Sequence, residues 1–217
     1  MASRFPRAWR VHSAILAAAV MAAIPSVASA QHDPPEVAPK QKKLPEAPAK
    51  LPKVGADRTR GLDFLFGALK AAPDEASAKH VEARIWALWL QTPSDTAALL
   101  MMRAKAAIDA QQTDVALKLL DAVIKLRPDY VEAWNRRATI YYLQNDYARS
   151  LADIEQVLSR EPRHFGALAG LGMIMQDIGD EKRALDAFRK ALALNPHLEK
   201  VPELVKSLTE KVEGRDI

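Results

Sequence analysis

The chain has 217 residues, nearly half of them apolar but only 6% aromatic, and it contains no cysteine. That composition excludes disulfides, thiolate metal sites, a cysteine nucleophile and a lipidated cysteine anchor. The formal charge of +4 is an end effect: residues 59–217 hold 22 Lys and Arg against 23 Asp and Glu, and the concentrated basic stripe that a nucleic-acid partner would need is not there.

The chain begins with Arg4, Arg7 and Arg10 and no acid, then an uncharged run over 14–24, a break at Pro25-Ser26 and the small residues Ala28-Ser29-Ala30. A basic start, a short apolar run and an A-x-A site predict a secretory signal peptide over 1–30, cleaved between Ala30 and Gln31. The run is shorter than the roughly 20 residues that span a bilayer. The arginines also fit a mitochondrial transit peptide, and an uncleaved anchor is a further alternative; the compact run and the cleavage site favour the signal. No twin-arginine pair is present, which favours the general secretion route. A secreted chain without disulfides suits a bacterial periplasm better than the usual cross-linked eukaryotic secreted domain.

Residues 31–58 follow, with Pro34, Pro35, Pro39, Pro45, Pro48 and Pro52 among five lysines. Proline fixes φ and donates no hydrogen bond, so this stretch is predicted as an extended, disordered linker. It reads as a spacer, with contact to an anionic wall or membrane surface as the alternative. Over 59–93, apolar patterning predicts a pair of helices at 62–71 and 74–91, carrying Phe64, Phe66, Ile85, Trp86 and Trp89, with Pro73 and Pro93-Ser94 at its boundaries.

Pro128, Pro162 and Pro196 are then spaced 34 residues apart, and each follows an amphipathic stretch, over 116–126, 148–158 and 184–194. With units 97–130, 131–164 and 165–198 aligned, the fourth place is Leu100, Trp134 and Leu168, and the eighth is Ala104, Ala138 and Gly172. The eleventh is Ala107, Tyr141 and Met175, the twentieth Ala116, Ser150 and Ala184, the twenty-fourth Leu120, Ile154 and Phe188, and the twenty-seventh Val123, Val157 and Ala191. Places four and eleven share one helix face, and small residues at eight and twenty let two backbones approach while the large ones fill the space between. Asn145-Asp146 and Gly179-Asp180 suit a left-handed helix end followed by an N-cap, and in the first unit Thr113 is the expected cap.

On these residues the chain resembles the tetratricopeptide-repeat (TPR) family, strongly over 97–198 and loosely over 59–213. The resemblance implies an all-α fold: an α-solenoid of three TPR helical hairpins, a degenerate helical pair at 59–93 closing one end as a fourth unit, and a capping helix over 199–213. It also implies that the first helix of each unit lines a concave groove through places two, five, nine, twelve and thirteen. That wall comprises Ala98, Met101, Lys105, Ile108 and Asp109, then Glu132, Asn135, Thr139, Tyr142 and Leu143, then Gly166, Ala169, Met173, Gln176 and Asp177. The expected binding set is Met101, Lys105, Asn135, Thr139, Tyr142, Met173 and Gln176. A basic clamp for a chain-terminal carboxylate is hinted at by Lys105 and Asn135, but the third unit has Gly166, Ala169 and Gly170 where a second basic pair would stand.

No His pair has metal-ligand spacing, no serine sits in a Gly-x-Ser-x-Gly setting, and there is no phosphate loop. His164 and His197, each just after a repeat-ending proline, are expected to cap helices or lie at the surface. The expectation is therefore a non-catalytic scaffold of the cell envelope without cofactor or metal, binding a peptide or helix of a partner protein. A structural or self-associating envelope protein is the alternative.

Overall fold

A computed structural model describes residues 54–214, with side chains from Arg58 onward. The predicted signal, its cleavage site at Ala30 and Gln31, and the proline-rich stretch up to residue 53 lie outside the described residues. The described residues form α1 (Val54–Lys70), α2 (Glu75–Trp89), α3 (Asp95–Asp109), α4 (Thr113–Leu126), α5 (Val131–Leu143), α6 (Tyr147–Arg160), α7 (Phe165–Asp177), α8 (Glu181–Leu194) and α9 (Val201–Val212), with no strand among them. None of these helices is long and apolar enough to cross a membrane. Residues 54–58, expected to belong to the linker, are the start of α1, which begins at Val54, two residues after the last proline of the run.

Helices α3 to α8 make the three hairpins. Each turn closes the same way: Gln111, Asn145 and Gly179 take positive φ of 58°, 58° and 84°. The next residue's N–H then donates back across the helix end, Gln112 to Ala107, Asp146 to Tyr141 and Asp180 to Met175, at 2.8–2.9 Å. This pattern satisfies carbonyls the helix leaves free. Asp146 and Asp180 cap the second helices by accepting from the backbone N–H of Arg149 and Arg183. Thr113 does not cap; it is the first residue of α4, and Gln112 holds the cap position without a side-chain bond.

Within each hairpin the small places are matched to the large ones. Ala104 and Ala138 belong to units whose twenty-fourth places are Leu120 and Ile154. In the third unit that place is Phe188, and a Cβ added to Gly172 would sit 2.5–2.9 Å from its ring. Only glycine accommodates the larger partner there. Helix α9 packs on α8 through buried Val201 and Leu208 and turns Glu203, Lys206 and Glu210 outward, the polar outer face a terminal cap needs.

The α1–α2 pair departs from expectation. It is not a fourth unit stacked on α3: the close backbone packing found at the α4–α5, α6–α7 and α8–α9 junctions is missing between α2 and α3. The pair lies instead across the row of turns that join one repeat to the next. Leu90 accepts a 2.6 Å bond from the Tyr130 hydroxyl at the first turn. Trp89 stacks on His164, with ring centroids 4.2 Å apart, and Trp86 meets His164 and Phe165 edge-on at the second. Glu82 accepts from Asn195 at 3.0 Å, and Lys79 pairs with Glu199, at the third. Eleven helical residues cover about 17 Å, so α2 strides all three turns, running opposite to the order of the repeats. Tyr130, His164 and Leu198 hold the last place of their units, so the 34-residue period itself presents one side chain per turn to this strap. Helix α1 packs beside it through Leu62, Leu65, Phe66 and Leu69, and Arg163 lies over the Phe66 ring while pairing with Asp63.

Candidate functional site: the concave cleft

Helices α5 and α7, with α6 behind them, enclose an open cleft of about 290 Å³. Asn135, Thr139, Tyr142 and Leu143 form one wall, Gly166, Ala169, Gly170 and Met173 the other, and Ser150 and Ile154 reach it from α6. The lining is mostly apolar. Small residues on α7 keep the cleft open, because a larger side chain at Gly170 would meet Ile154. Ser150 is not a free donor: its hydroxyl is buried and donates to the Ala138 carbonyl at 2.8 Å. Thr139 likewise donates to the Asn135 carbonyl at 3.0 Å.

The structure brings together four of the seven expected binding residues: Asn135, Thr139, Tyr142 and Met173. The other three fall elsewhere. Met101 is only 6% exposed and belongs to the core of the first hairpin, because α5 covers the face of α3 that carries it. Lys105 is exposed but turned along its own helix to pair with Asp109 at 2.6 Å. Gln176 is half-buried beyond Met173, outside the cleft lining. Glu132, expected on the wall, is buried: its Oε1 lies 2.7 Å from His164 Nε2. His164 Nδ1 accepts the Ala167 backbone N–H, so the ring proton sits on Nε2 and is donated to Glu132. His164 thus caps α7 as expected but is fully buried, not at the surface.

Two features of the cleft were not foreseen. A Cβ on Gly166 would lie 2.9 Å from the Trp86 ring, so the strap closes the Gly166 end of the cleft. The sequence did carry a signal for it, since the equivalent places hold Ala98 and Glu132. At the opposite end stand Tyr142, Tyr147 and Asp177. The two rings are 6.0 Å apart, and the Tyr147 hydroxyl donates to Asp177 at 3.3 Å. Burial, and then the nearby Asp177 carboxylate, push the Tyr142 phenol up to about 12. No basic side chain lines the cleft, so a clamp for a terminal carboxylate is not assembled there.

A tetratricopeptide-repeat family model matches residues 101–153 and 143–199. A TPR repeat-containing protein of Rhizobium etli is 40% identical over 153 residues, which is 70% of this chain and 75% of that protein. The chain belongs to the tetratricopeptide-repeat family. Among other TPR relatives, the photosystem I assembly protein Ycf3 of Synechococcus is 33% identical over 89 residues, 36% of this chain and 50% of its own length. The TPR domain of Arabidopsis OM64 superposes with a TM-score of 0.52 at 19% identity, covering 54% of this chain and 98% of that domain. The first TPR domain of Spaghetti (RPAP3), bound to an HSP90 peptide, gives 0.53 at 14% identity, with 56% and 97% covered. At such identities the likeness is one of fold. TPR membership assigns the protein to a class of interaction scaffolds.

Proposed function

We propose that this TPR protein is a non-catalytic scaffold of the cell envelope that holds an apolar helix or extended segment of a partner protein in the concave cleft. The observation that carries the reading is the cleft between α5 and α7, with Tyr142, Leu143 and Met173 presented at its open side. Tyrosine and methionine give large, adaptable contact area at low ordering cost. A TPR domain of the same fold has been determined with a peptide bound, which supports a peptide or helix as the occupant. The envelope setting rests on residues 1–30 read as a cleaved signal, with the mature chain in the periplasm. Amino-terminal sequencing of the exported protein should begin at Gln31.

The binding test is a crosslinking capture from envelope extract with residues 31–217, with a copy starting at Val54, and with Tyr142→Ala/Met173→Ala. Capture of one partner by the first two and its loss in the double variant is the expected result. Capture that needs residues 31–53, or that survives the double variant, would put the binding surface elsewhere.

A further inference from the structure

Places three and ten of each unit face the preceding unit. In the second and third repeats these are Ala133, Ile140, Ala167 and Ile174, all at most 5% exposed. In the first repeat the same face of α3 is covered by none of the described residues, because α1 and α2 lie across the turns instead. Leu99 is 49% exposed, and Met102, one helical turn on, is 69% exposed. Asp95, Thr96, Leu99, Met102, Arg103 and Ala106 make one exposed strip along α3, spaced as residues on a single helix face.

The charges on this strip are unmatched. Arg137, which occupies place seven in the second repeat as Arg103 does in the first, donates to Asp121 of the preceding unit and in two bonds to the buried Asp153. Arg103 has neither partner: among the described residues no repeat precedes its own, and Leu119 stands where the second repeat has Asp153. Among the described residues, neither Arg103 nor Asp95 forms an ion pair or a hydrogen bond between side chains.

We infer that the α3 face is a twofold interface between two copies of this chain. Helix α9 seals the opposite end with a charged surface, so that end offers the α3 face no apolar counterpart, which favours an isologous, closed contact over head-to-tail stacking. An antiparallel α3–α3 pairing centred on Leu99 places Asp95 opposite the second copy's Arg103 at both ends. It also sets Met102 against Thr96, whose short side chain leaves room for the thioether and offers it a methyl group. The strip thus supplies its own complement: an apolar centre flanked by two opposite-charge pairs, in place of the acid that Arg137 finds in the preceding repeat. A contact through one helix face is small beside the roughly 1,200 Å² at which stable complexes begin, so the dimer is expected to dissociate on dilution.

Sedimentation equilibrium of residues 31–217, which retain the whole described fold, from about 5 to 500 µM tests this. The native chain should pass from monomer to dimer and no further. Met102→Lys and Arg103→Asp, both at exposed positions, should stay monomeric across that range with unchanged helical circular dichroism. The reciprocal variant Asp95→Arg/Arg103→Asp should dimerise again, because in a twofold contact both pairs are restored at once. A native chain that stays monomeric overturns the proposal. So does association that survives Met102→Lys, and so does failure of the reciprocal variant to dimerise, which would instead fit a different helical protein or the concave cleft as the docking partner.

Discussion

The row of inter-repeat turns and the concave wall are built from the same 34-residue period, yet one is closed and the other open. On the turn row, Tyr130, His164 and Leu198 meet a strap carrying Trp86, Trp89 and Glu82, and two polar pairs form there, Glu132 with His164 and Asn195 with Glu82. On the concave side the period sets out Asn135, Thr139, Tyr142 and Met173, and nothing in the described chain lies over them except Trp86 at one end. Repetition supplies a regular surface, and whether that surface becomes core or binding site depends on which other segment reaches it. The strap has a mechanical consequence too. Solenoids otherwise depend on contacts between neighbours alone, and α2 ties three turns together, so the curvature of the cleft is held from its Gly166 end.

The contrast breaks most directly at Trp89. Trp89→Ala empties the centre of the aromatic cluster against His164, Phe165 and Phe66. It should destabilise by about 3–5 kcal/mol in chemical denaturation and expose 54–90 to protease while α3–α9 stay folded. Trp89→Phe should cost less, since the buried indole N–H has no hydrogen-bond partner among the described residues and phenylalanine removes it.

A smaller loss is expected inside the stack, where the strap plays no part. Arg137→Ala leaves the Asp153 carboxylate buried without its two bonds and removes the guanidinium from the Trp134 ring. The expected cost is about 2–3 kcal/mol, read from the denaturation midpoint. Gly172→Ala drives a methyl into the Phe188 ring and should cost about 1–2 kcal/mol by overpacking. Pairing it with Phe188→Leu, the residue type of the first unit, should recover most of that loss.

The smallest effect belongs to the open side. Tyr142 is neutral in the fold up to about 12, whereas an ordinary tyrosine ionises near 10. Its contribution is complete below pH of about 10 and is lost as pH rises towards about 12, because the unfolded chain ionises first. Burial also raises Tyr130 and Tyr147, so ultraviolet titration should run late, its last step removed in Tyr142→Phe and earlier in Asp177→Asn. A last step unchanged in Tyr142→Phe would mean that Tyr142 is freely solvated and ionises near pH of about 10.

Much of the repeat stack was legible in the sequence. The 34-residue proline spacing, the left-handed turns at Asn145 and Gly179, the caps at Asp146 and Asp180 and the close approach at Gly172 all follow from local chemistry. Four of the seven expected binding residues, placed by the family's groove positions, line the cleft. Met101, Lys105 and Gln176 lie outside it, and Glu132 leaves the expected wall, because identical places meet different neighbours: Met101 is covered by α5, Lys105 finds Asp109 one turn away, and Glu132 finds a histidine 32 residues later. The place-seven arginines were visible in the sequence, but the buried pairing of Arg137 was not, since its acids lie 16 residues away on two different helices.

The sequence by itself determined that the chain is a helical repeat, where each hairpin turns and which residues fill each hairpin, because those features depend on spacing within about 34 residues. Only the tertiary structure decided where α1 and α2 go. Their aromatic residues announce a buried face but not its target, and two surfaces of the stack compete for it. The turn row wins because it offers aromatic, carboxylate and amide partners at intervals that a single helix can span. Its capture of α1–α2 leaves the cleft and the α3 face uncovered by the described residues.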